Sequence, residues 1–186
     1  MFTVSVKADF TPAQRLLLQT DRQVRTAAAR ALNRVAEQTK TQASRAISAA
    51  YNIAVSKVKE RIKIRKAFAA GDLAVEIAVE SKFGRRATNL ITFGAKQDRR
   101  GGVRVKIRRD RPALKGSRWF IITNRRTGGT FVAQRTGKAR GDIKSVTTID
   151  VGQMFNARRV NDQLRALIRS KFPAEFQRQL QFARSS

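Results

Sequence analysis

The sequence contains no cysteine and no histidine. Without cysteine there is no disulfide bond and no thiolate metal site, and the chain suits a reducing compartment. Without histidine it lacks the commonest general base and the commonest ligand of transition metals. No set of nucleophile, base and orienting group can be assembled, short of unusual lysine chemistry. We therefore expect that the chain is not an enzyme and that it uses no cofactor.

Acidic residues are scarce, since 13 Asp and Glu stand against 40 Lys and Arg. A metal-dependent nuclease needs several carboxylates around two divalent ions. The nearest candidates are Glu76 and Glu80, with Asp72 close by, and charges on an exposed strand face opposite a basic strand explain them better. The glycine pairs Gly101-Gly102 and Gly128-Gly129 each predict a turn, and neither pair is followed by the Lys-Ser/Thr of a phosphate-binding loop. We expect no metal site.

Long apolar runs are also lacking. No segment approaches the roughly 20 consecutive apolar residues of a membrane-spanning helix. The first ten residues lack the charged and then apolar pattern of a signal peptide. We expect a protein that makes no membrane contact and is made in the cytoplasm.

Positive charge is what the sequence has in excess. The formal net charge is +27 on 186 residues, and 27 of the 40 cationic residues are arginine. The repulsion between these like charges implies a permanently bound anionic partner. Arginine, in particular, favours bidentate contacts of fixed geometry. By charge alone, nucleic acid, acidic protein surfaces and anionic membranes are all candidates.

The N-terminal part predicts a strand followed by a long helix. Residues 1–8 alternate apolar and polar side chains. A capping box that begins at Thr11, with Pro12 at the first helical position, predicts a helix over residues 12–50. The apolar face of this helix comprises Val24, Ala28, Ala31 and Val35. We expect this face to pack closely on a neighbouring subunit or on a sheet, with burial in the protein's own core as the favoured interpretation.

The middle of the chain predicts a twisted antiparallel β-meander over residues 62–150. Residues 55–61 have the pattern of a short helix end. The two runs at residues 62–68 and 73–80 alternate apolar and polar side chains around a turn, which is typical of a hairpin.

The centre of this meander carries the highest density of charge. Eight basic residues lie within residues 96–111, where Val103 and Val105 alternate with cations. We name residues 94–118 the basic arm and expect a loop that stays mobile until an anion or a partner orders it. Its candidate contacts to a partner or to DNA are Lys96, Arg99, Arg100, Arg104, Lys106, Arg108, Arg109 and Arg111. A second basic cluster comprises Arg125, Arg126, Arg135, Lys138 and Arg140.

The remaining elements complete a single α+β domain over residues 1–186. The apolar run at residues 119–122 indicates a core strand rather than a stacking platform for bases. A helical period returns over residues 153–184, where Pro173 is expected to kink or restart the helix. The predicted fold is one antiparallel sheet, a meander with a long basic loop, covered by the N-terminal and C-terminal helices.

Two functions fit the charge. A basic ribbon can track phosphates and give salt-dependent binding of nucleic acid without sequence specificity. No helix-turn-helix, zinc finger or RNA-recognition signature is present to make the binding specific. Alternatively, the chain is a subunit of an oligomeric assembly, in which charge complementarity fixes partner order and speeds docking.

Short sequence motifs, referred to here as strings, are distributed over nearly the whole chain. The N-terminal strings are Ala29-Arg30-Ala31-Leu32-Asn33-Arg34-Val35 and Val58-Lys59-Glu60-Arg61. The central strings are residues 90–97, Gly101-Gly102-Val103-x-Val105-Lys106, Phe120-Ile121, Phe131 and Arg135-x-Gly137-Lys138-x-Arg140. The C-terminal strings are Gln153-Met154-Phe155 and Lys171-Phe172-Pro173-Ala174-Glu175. In order and spacing they resemble the phage and prophage minor tail protein Z family, also called tail completion or neck proteins.

One segment departs from this resemblance. Residues 141–151 replace the Ile-Pro-rich or Leu-Pro-rich turn and the Gly-Pro-Ser that the family pattern has before Gln-Met-Phe. The family pattern therefore does not predict the conformation of this connection.

The resemblance implies a non-enzymatic virion component at the head-proximal end of a long tail, made in the cytoplasm of the bacterial host. Such a protein would complete the tail and help join it to the head. It would form a homo-oligomeric ring, six-fold by the symmetry of the tail, against tail terminator, head–tail connector or tail-tube proteins. Non-specific contact with genomic DNA in the lumen is a further expectation. The alternative function is a non-specific nucleic-acid-binding protein of nucleoid type.

Overall fold

The computed structural model describes residues 2–7, 22–71, 73–79, 87–139, 141–156 and 158–185. Its helices are α1 Arg22–Ala50, α2 Val55–Arg61, α3 Val151–Phe155 and α4 Arg158–Arg184, with a 3₁₀ helix at Leu90–Phe93. Its strands are β1 Phe2–Lys7, β2 Ile62–Arg65, β3 Ala74–Val79, β4 Ala87–Asn89, β5 Lys96–Gln97, β6 Val103–Val105, β7 Leu114–Gly116, β8 Trp119–Thr123, β9 Thr130–Arg135, β10 Ile143–Ser145 and β11 Thr147–Ile149. The α+β class is confirmed. The predicted end of the long helix at residue 50 is confirmed as well, whereas its start and capping box lie outside the described residues.

The first sheet has the strand order β1-β3-β2 and is antiparallel. Ile62 of β2 pairs with Val79 of β3, so the predicted hairpin is confirmed with shorter strands. The alternating side chains of Val75, Ile77 and Val79 are at most 2% exposed. This sheet therefore buries the face that the period of two predicts.

The expected continuous meander is divided into four small antiparallel sheets within the described residues. Besides the first sheet they have the strand orders β5-β6-β7, β10-β9-β8 and β11-β4. Between β5 and β8 a side chain replaces the backbone ladder, because the N–H of Ile121 donates to Oε1 of Gln97 at 3.3 Å. The period of two identifies strands, but it carries no information on where one sheet ends and the next begins.

The basic arm is folded, which corrects the expected loop. It forms the sheet β5-β6-β7, in which Val103 and Val105 are 0% and 2% exposed and Arg104 is exposed. The alternation predicted for this strand is thus confirmed up to Val105. The next apolar residue, Ile107, lies beyond the strand, and its carbonyl accepts the N–H of Asn52 at 2.8 Å. The two buried valines hold the arm on the core, so its charge does not prevent it from folding.

Helices α1 and α4 pack along each other. The residues predicted for close packing are Val24, Ala28, Ala31 and Val35, and they are 8%, 0%, 0% and 3% exposed. The first two form a cluster with Phe176 and Leu180 of α4. The chain's own C-terminal helix therefore covers this part of the alanine-rich face. Burial in the chain's own core, the favoured interpretation, is thus confirmed for these residues, and a contact of this helix with a second subunit stays a prediction.

The C-terminal helical region is interrupted once and then continues past its proline. Helix α3 ends at Phe155 and α4 begins at Arg158, so the single helix predicted over residues 153–184 is two helices. Asp150 and Gln153 form a capping box at the start of α3, with the Asp150 N–H donating to Oε1 of Gln153 at 3.0 Å. Helix α4 continues through Pro173, which corrects the predicted restart.

A single large core joins α1, α3 and the small sheets. Its largest fully buried side chains include Phe93 of the 3₁₀ helix, Ile47 of α1 and Phe155 of α3, each at most 1% exposed. Val132 of β9 belongs to the same cluster and is 0% exposed. The small sheets are thus held on a common apolar core, which fixes the position of the basic arm.

Candidate docking surface

The tip of the basic arm is a tight turn at residues 98–102. The φ angles of Gly101 and Gly102 are +85° and +82°, a region that favours glycine. The N–H of Asp98 donates to the carbonyl of Gly102 at 2.9 Å, and the N–H of Gly101 donates to the carbonyl of Asp98 at 3.1 Å. A Cβ on Gly102 would collide with the carbonyl of Gly116 on β7. The predicted turn is confirmed, and its second glycine also allows β7 to approach closely.

One carboxylate organises the inner part of the arm. Oδ2 of Asp98 lies 3.0 Å from Nζ of Lys115 and 3.3 Å from Nη2 of Arg104, while Oδ1 accepts the backbone N–H of Arg100 at 3.2 Å. The hydrogen bond from Lys115 lowers the pKa of Asp98 most, followed by the bond from the Arg100 backbone. Arg104, a candidate contact, thus already has a partner within the chain.

Two further arginines fasten the end of the arm. Arg108 donates through Nε and Nη2 to both oxygens of Asp110 at 3.0 and 2.8 Å, and its guanidinium lies 5.9 Å from the ring centre of Tyr51. The hydrogen bond between them raises the pKa of Arg108 and lowers that of Asp110. Nε of Arg109 donates to the carbonyl of Ser48 at 2.9 Å, in the last turn of α1, where carbonyls lack helical partners. We name Arg104, Arg108 and Arg109 the anchored arginines.

Four other cations among the arm's candidate contacts are exposed and unpaired. Within the part of the chain that the structure describes, their side chains form no ion pair and no hydrogen bond. We name these residues the free cations: Lys96, Arg99, Arg100 and Lys106. Arg111 is different, because its charge contributes to the lowered pKa of Asp110. The arm therefore presents unpaired positive charge on an ordered sheet and on the residues directly beside its strands.

The second basic cluster is spread over a hairpin and its exit. Arg125 and Arg126 are exposed in the turn between β8 and β9, whose Gly128 has a φ of +66°, so the predicted turn is confirmed. Arg135 ends β9 and the exposed Lys138 follows it. Arg140, the last member, lies outside the described residues.

A groove of about 580 Å³ separates the sheet of the arm from the sheet β10-β9-β8. Arg118 and Arg135 line it together with Trp119, Phe120 and Gln97. Sequence reasoning identified Arg135 but missed Arg118. It assigned the two aromatic residues to the core, and Trp119 does pack against the core cluster, but both residues are half-buried and also line the groove. The sequence feature that could have identified Arg118 is its position directly before the two aromatic residues at the start of a strand.

The acidic residues that were weighed as metal ligands are partly described. Glu76 pairs with Arg65 on the neighbouring strand, with 3.2 Å between Oε2 and Nη1, which confirms the cross-strand explanation for this residue. Asp72 and Glu80 lie outside the described residues. In the part of the chain that is described, no group of three or more His, Cys, Asp or Glu side chains is arranged to hold a metal ion. None of its helices is long and apolar enough to span a membrane.

An ordered sheet with unpaired arginine and lysine side chains has the geometry of a binding module. Residues 11–184 match the family described as prophage minor tail protein Z (GPZ), and the chain belongs to this family. No curated protein and no solved structure shows significant similarity to it. The resemblance found in the sequence is confirmed, and the protein is a structural component of a phage tail, in a family of structural proteins rather than enzymes.

Proposed function

We propose that this protein completes the phage tail at its head-proximal end and helps to join the tail to the head. It acts there as a ring of identical subunits, six-fold like the tail, that contacts terminator, connector or tail-tube proteins. The bacterial cytoplasm is where it is made and where it docks. Family membership supports the place in the tail, and the charge distribution supports the docking role.

The observation that carries the docking role is the division of the arm's cations into two sets. The anchored arginines use their hydrogen bonds inside the chain, at distances of 2.8 to 3.3 Å from their partners. The free cations have no such partner in the described part, and they lie in or directly beside the strands of a sheet fixed to the core. Holding like charges together costs free energy, and a complementary acidic surface on a partner ring recovers it and guides the encounter.

The test compares two variants of the phage that encodes this chain. In the first, all four free cations are changed to glutamine, as K96Q/R99Q/R100Q/K106Q. In the control, K59Q/K63Q/R45Q/R165Q, two exposed lysines and two exposed arginines elsewhere are changed, so that the loss of charge is equal. Cryo-EM focused on the head–tail junction then counts the particles with density for this subunit.

We expect the first variant to leave unjoined heads and tails or empty junction density, and the control to assemble normally. If heads and tails of the first variant join normally and the phage is infectious, the docking role of the arm is wrong. If virions contain no copy of the protein at the head–tail junction, the assignment to the head-proximal end is wrong.

A second candidate function is non-specific nucleic-acid binding, favoured by the net charge of +27 and by the free cations. Contact of the same surface with genomic DNA in the lumen belongs to this candidate. It predicts that free subunits bind duplex DNA with an affinity that falls steeply as salt increases. Such binding without association with tail proteins at physiological salt would favour this candidate over the first.

A further inference from the structure

We propose that the groove between the sheets β5-β6-β7 and β10-β9-β8 binds an extended segment of a partner protein that carries Asp or Glu side chains. The inference rests on the proposed function only in one respect, that the partner is another component of the particle. The site is distinct from the free cations, because its two arginines come from the turn before β8 and from the end of β9.

The walls of the groove supply the charge. Arg118 and Arg135 both line it and both are exposed, and neither forms an ion pair within the described residues. No carboxylate lies among the residues that line the groove. An arginine fork donates two parallel N–H bonds to a carboxylate, and such charge-assisted bonds are stronger than neutral ones. The groove therefore selects an anion and offers two arginines to hold it.

One of these arginines is already oriented. The guanidinium of Arg135 lies 5.6 Å from the ring centre of Phe120, within the range of a cation–π contact. This contact restrains the guanidinium group and leaves N–H groups available to a ligand. Less conformational entropy is then lost when a carboxylate binds.

The apolar part of the groove favours a peptide over nucleic acid. Single-stranded nucleic acid is bound by stacking successive bases on free aromatic faces. Here the ring of Trp119 lies so close to Gly116 that a Cβ there would collide with it, and the ring of Phe120 faces Arg135. These half-buried rings instead suit aliphatic side chains that alternate with acidic ones. The volume of about 580 Å³ lies within the usual range of ligand-binding clefts.

The chain carries its own reporter for this groove, because Trp119 is the sole tryptophan. The full-length protein is titrated with a capped octapeptide of alternating Glu and Leu, and the tryptophan emission is followed. A capped octapeptide of alternating Lys and Leu and an eight-nucleotide oligothymidylate are titrated in parallel. We expect a saturable change in emission with the Glu-Leu peptide and none with the other two.

Three variants show whether the groove is responsible. Changing Arg118→Gln or Arg135→Gln removes a charge-assisted bond and is expected to weaken peptide binding about tenfold each. The matched control is Arg125→Gln, an exposed arginine on the β8–β9 turn that does not line the groove. Because long-range surface charge contributes little, the control should change binding by less than about twofold. Circular dichroism confirms that each variant is folded.

Three outcomes overturn the proposal: no saturable binding of the acidic peptide, an equal loss in the Arg125 control, or tighter binding of oligothymidylate that depends on the same two arginines. The last outcome would assign the groove to nucleic acid. The titration does not use the virion, so it stands even if the protein proves absent from the head–tail junction. Conversely, a failed titration leaves the place of the protein in the particle untouched.

Discussion

The helix pair α1–α4 and the basic arm both contain more cations than anions, but they differ in how the surplus cations are arranged. Between the helices, Glu175 is 11% exposed and lies 2.6 Å from Nη2 of Arg178 and 3.4 Å from Nε of Arg34, while Gln179 donates to it at 3.0 Å. Burial alone would raise the pKa of Glu175. The hydrogen bonds from Gln179 and Arg178 and the charges of Arg178 and Arg34 together lower it.

In the arm, carboxylates form ion pairs with only some of the cations. Asp98 and Asp110 neutralise cations next to them, yet the four free cations keep no partner in the described residues. The helix pair buries alanine and aromatic side chains against each other within one chain. Within the described residues of both regions, the carboxylates pair with only some of the cations, and the unpaired cations are spread along two long helices in the first region but lie close together in the second.

The largest effect is expected from a change that breaks the arm itself. Gly102→Ala requires alanine to adopt a φ of +82° and places its Cβ against the carbonyl of Gly116. We expect the free energy of unfolding to fall by about 3 kcal/mol or more. The control Gly101→Ala, with a φ of +85° and open space around its Cβ, should lose only about 1 kcal/mol. Urea denaturation measures both, and equal losses would refute the role of close approach to β7.

A smaller effect is expected from overpacking the helix pair. Ala28→Leu adds bulk at a position that is 0% exposed beneath α4. Forcing the helices apart should reduce the free energy of unfolding by about 1–3 kcal/mol. Ala49→Leu, at an exposed site near the end of α1, should be close to neutral. Thermal denaturation compares them, and a neutral Ala28→Leu would show that this interface is looser than its burial indicates.

The carboxylate network predicts a dependence on pH. Because the pKa of Glu175 is lowered in the folded chain, its stabilisation is present above the unfolded pKa of about 4.3 and is lost as the pH falls through the folded value. Glu175→Gln should cost about 1 kcal/mol at neutral pH and much less in acid. Glu37→Gln, an exposed change on α1, is the control. An equal cost at pH 7 and pH 3, measured by denaturation, would contradict the network.

The smallest effect on stability is expected from the free cations. The variant K96Q/R99Q/R100Q/K106Q removes like charges that have no partner in the described residues. The melting temperature should therefore change by less than about 2 °C or rise slightly. Replacing the anchored arginines, as R104Q/R108Q/R109Q, breaks hydrogen bonds inside the chain. This variant should therefore have a lower melting temperature than the first. If the two variants melt alike in differential scanning calorimetry, the division of the arm into two sets is wrong.

Much of the fold follows from short patterns. The period of two in Val75, Ile77 and Val79 identified a buried strand, and the glycine pair at residues 101–102 identified a turn. Residues 55–61 were interpreted as a helix end without a fixed changeover to the strand, and the structure has a short helix there. These features depend on neighbours in sequence, so the sequence expresses them directly.

The site was harder to predict than the fold. All the arginines of the arm look alike in sequence, yet Arg109 reaches Ser48 across 61 positions while Arg99 stays free. The groove escaped notice because it lies between two sheets, and Arg118 and Arg135 are brought to it by separate strands. Contacts between residues that are far apart in the sequence cannot be predicted from the local pattern of apolar and charged residues.

Composition and local order were thus enough for the class of fold, the excess of cations, the lack of histidine and cysteine, and the family. The tertiary structure decided which cations are anchored, which helix covers the alanine-rich face, and how the strands divide into small sheets. The physical reason is that helices and strands arise from interactions between residues close in the chain. Pairing of charges and burial of faces instead depend on which distant segments share a surface, and only the folded core sets that.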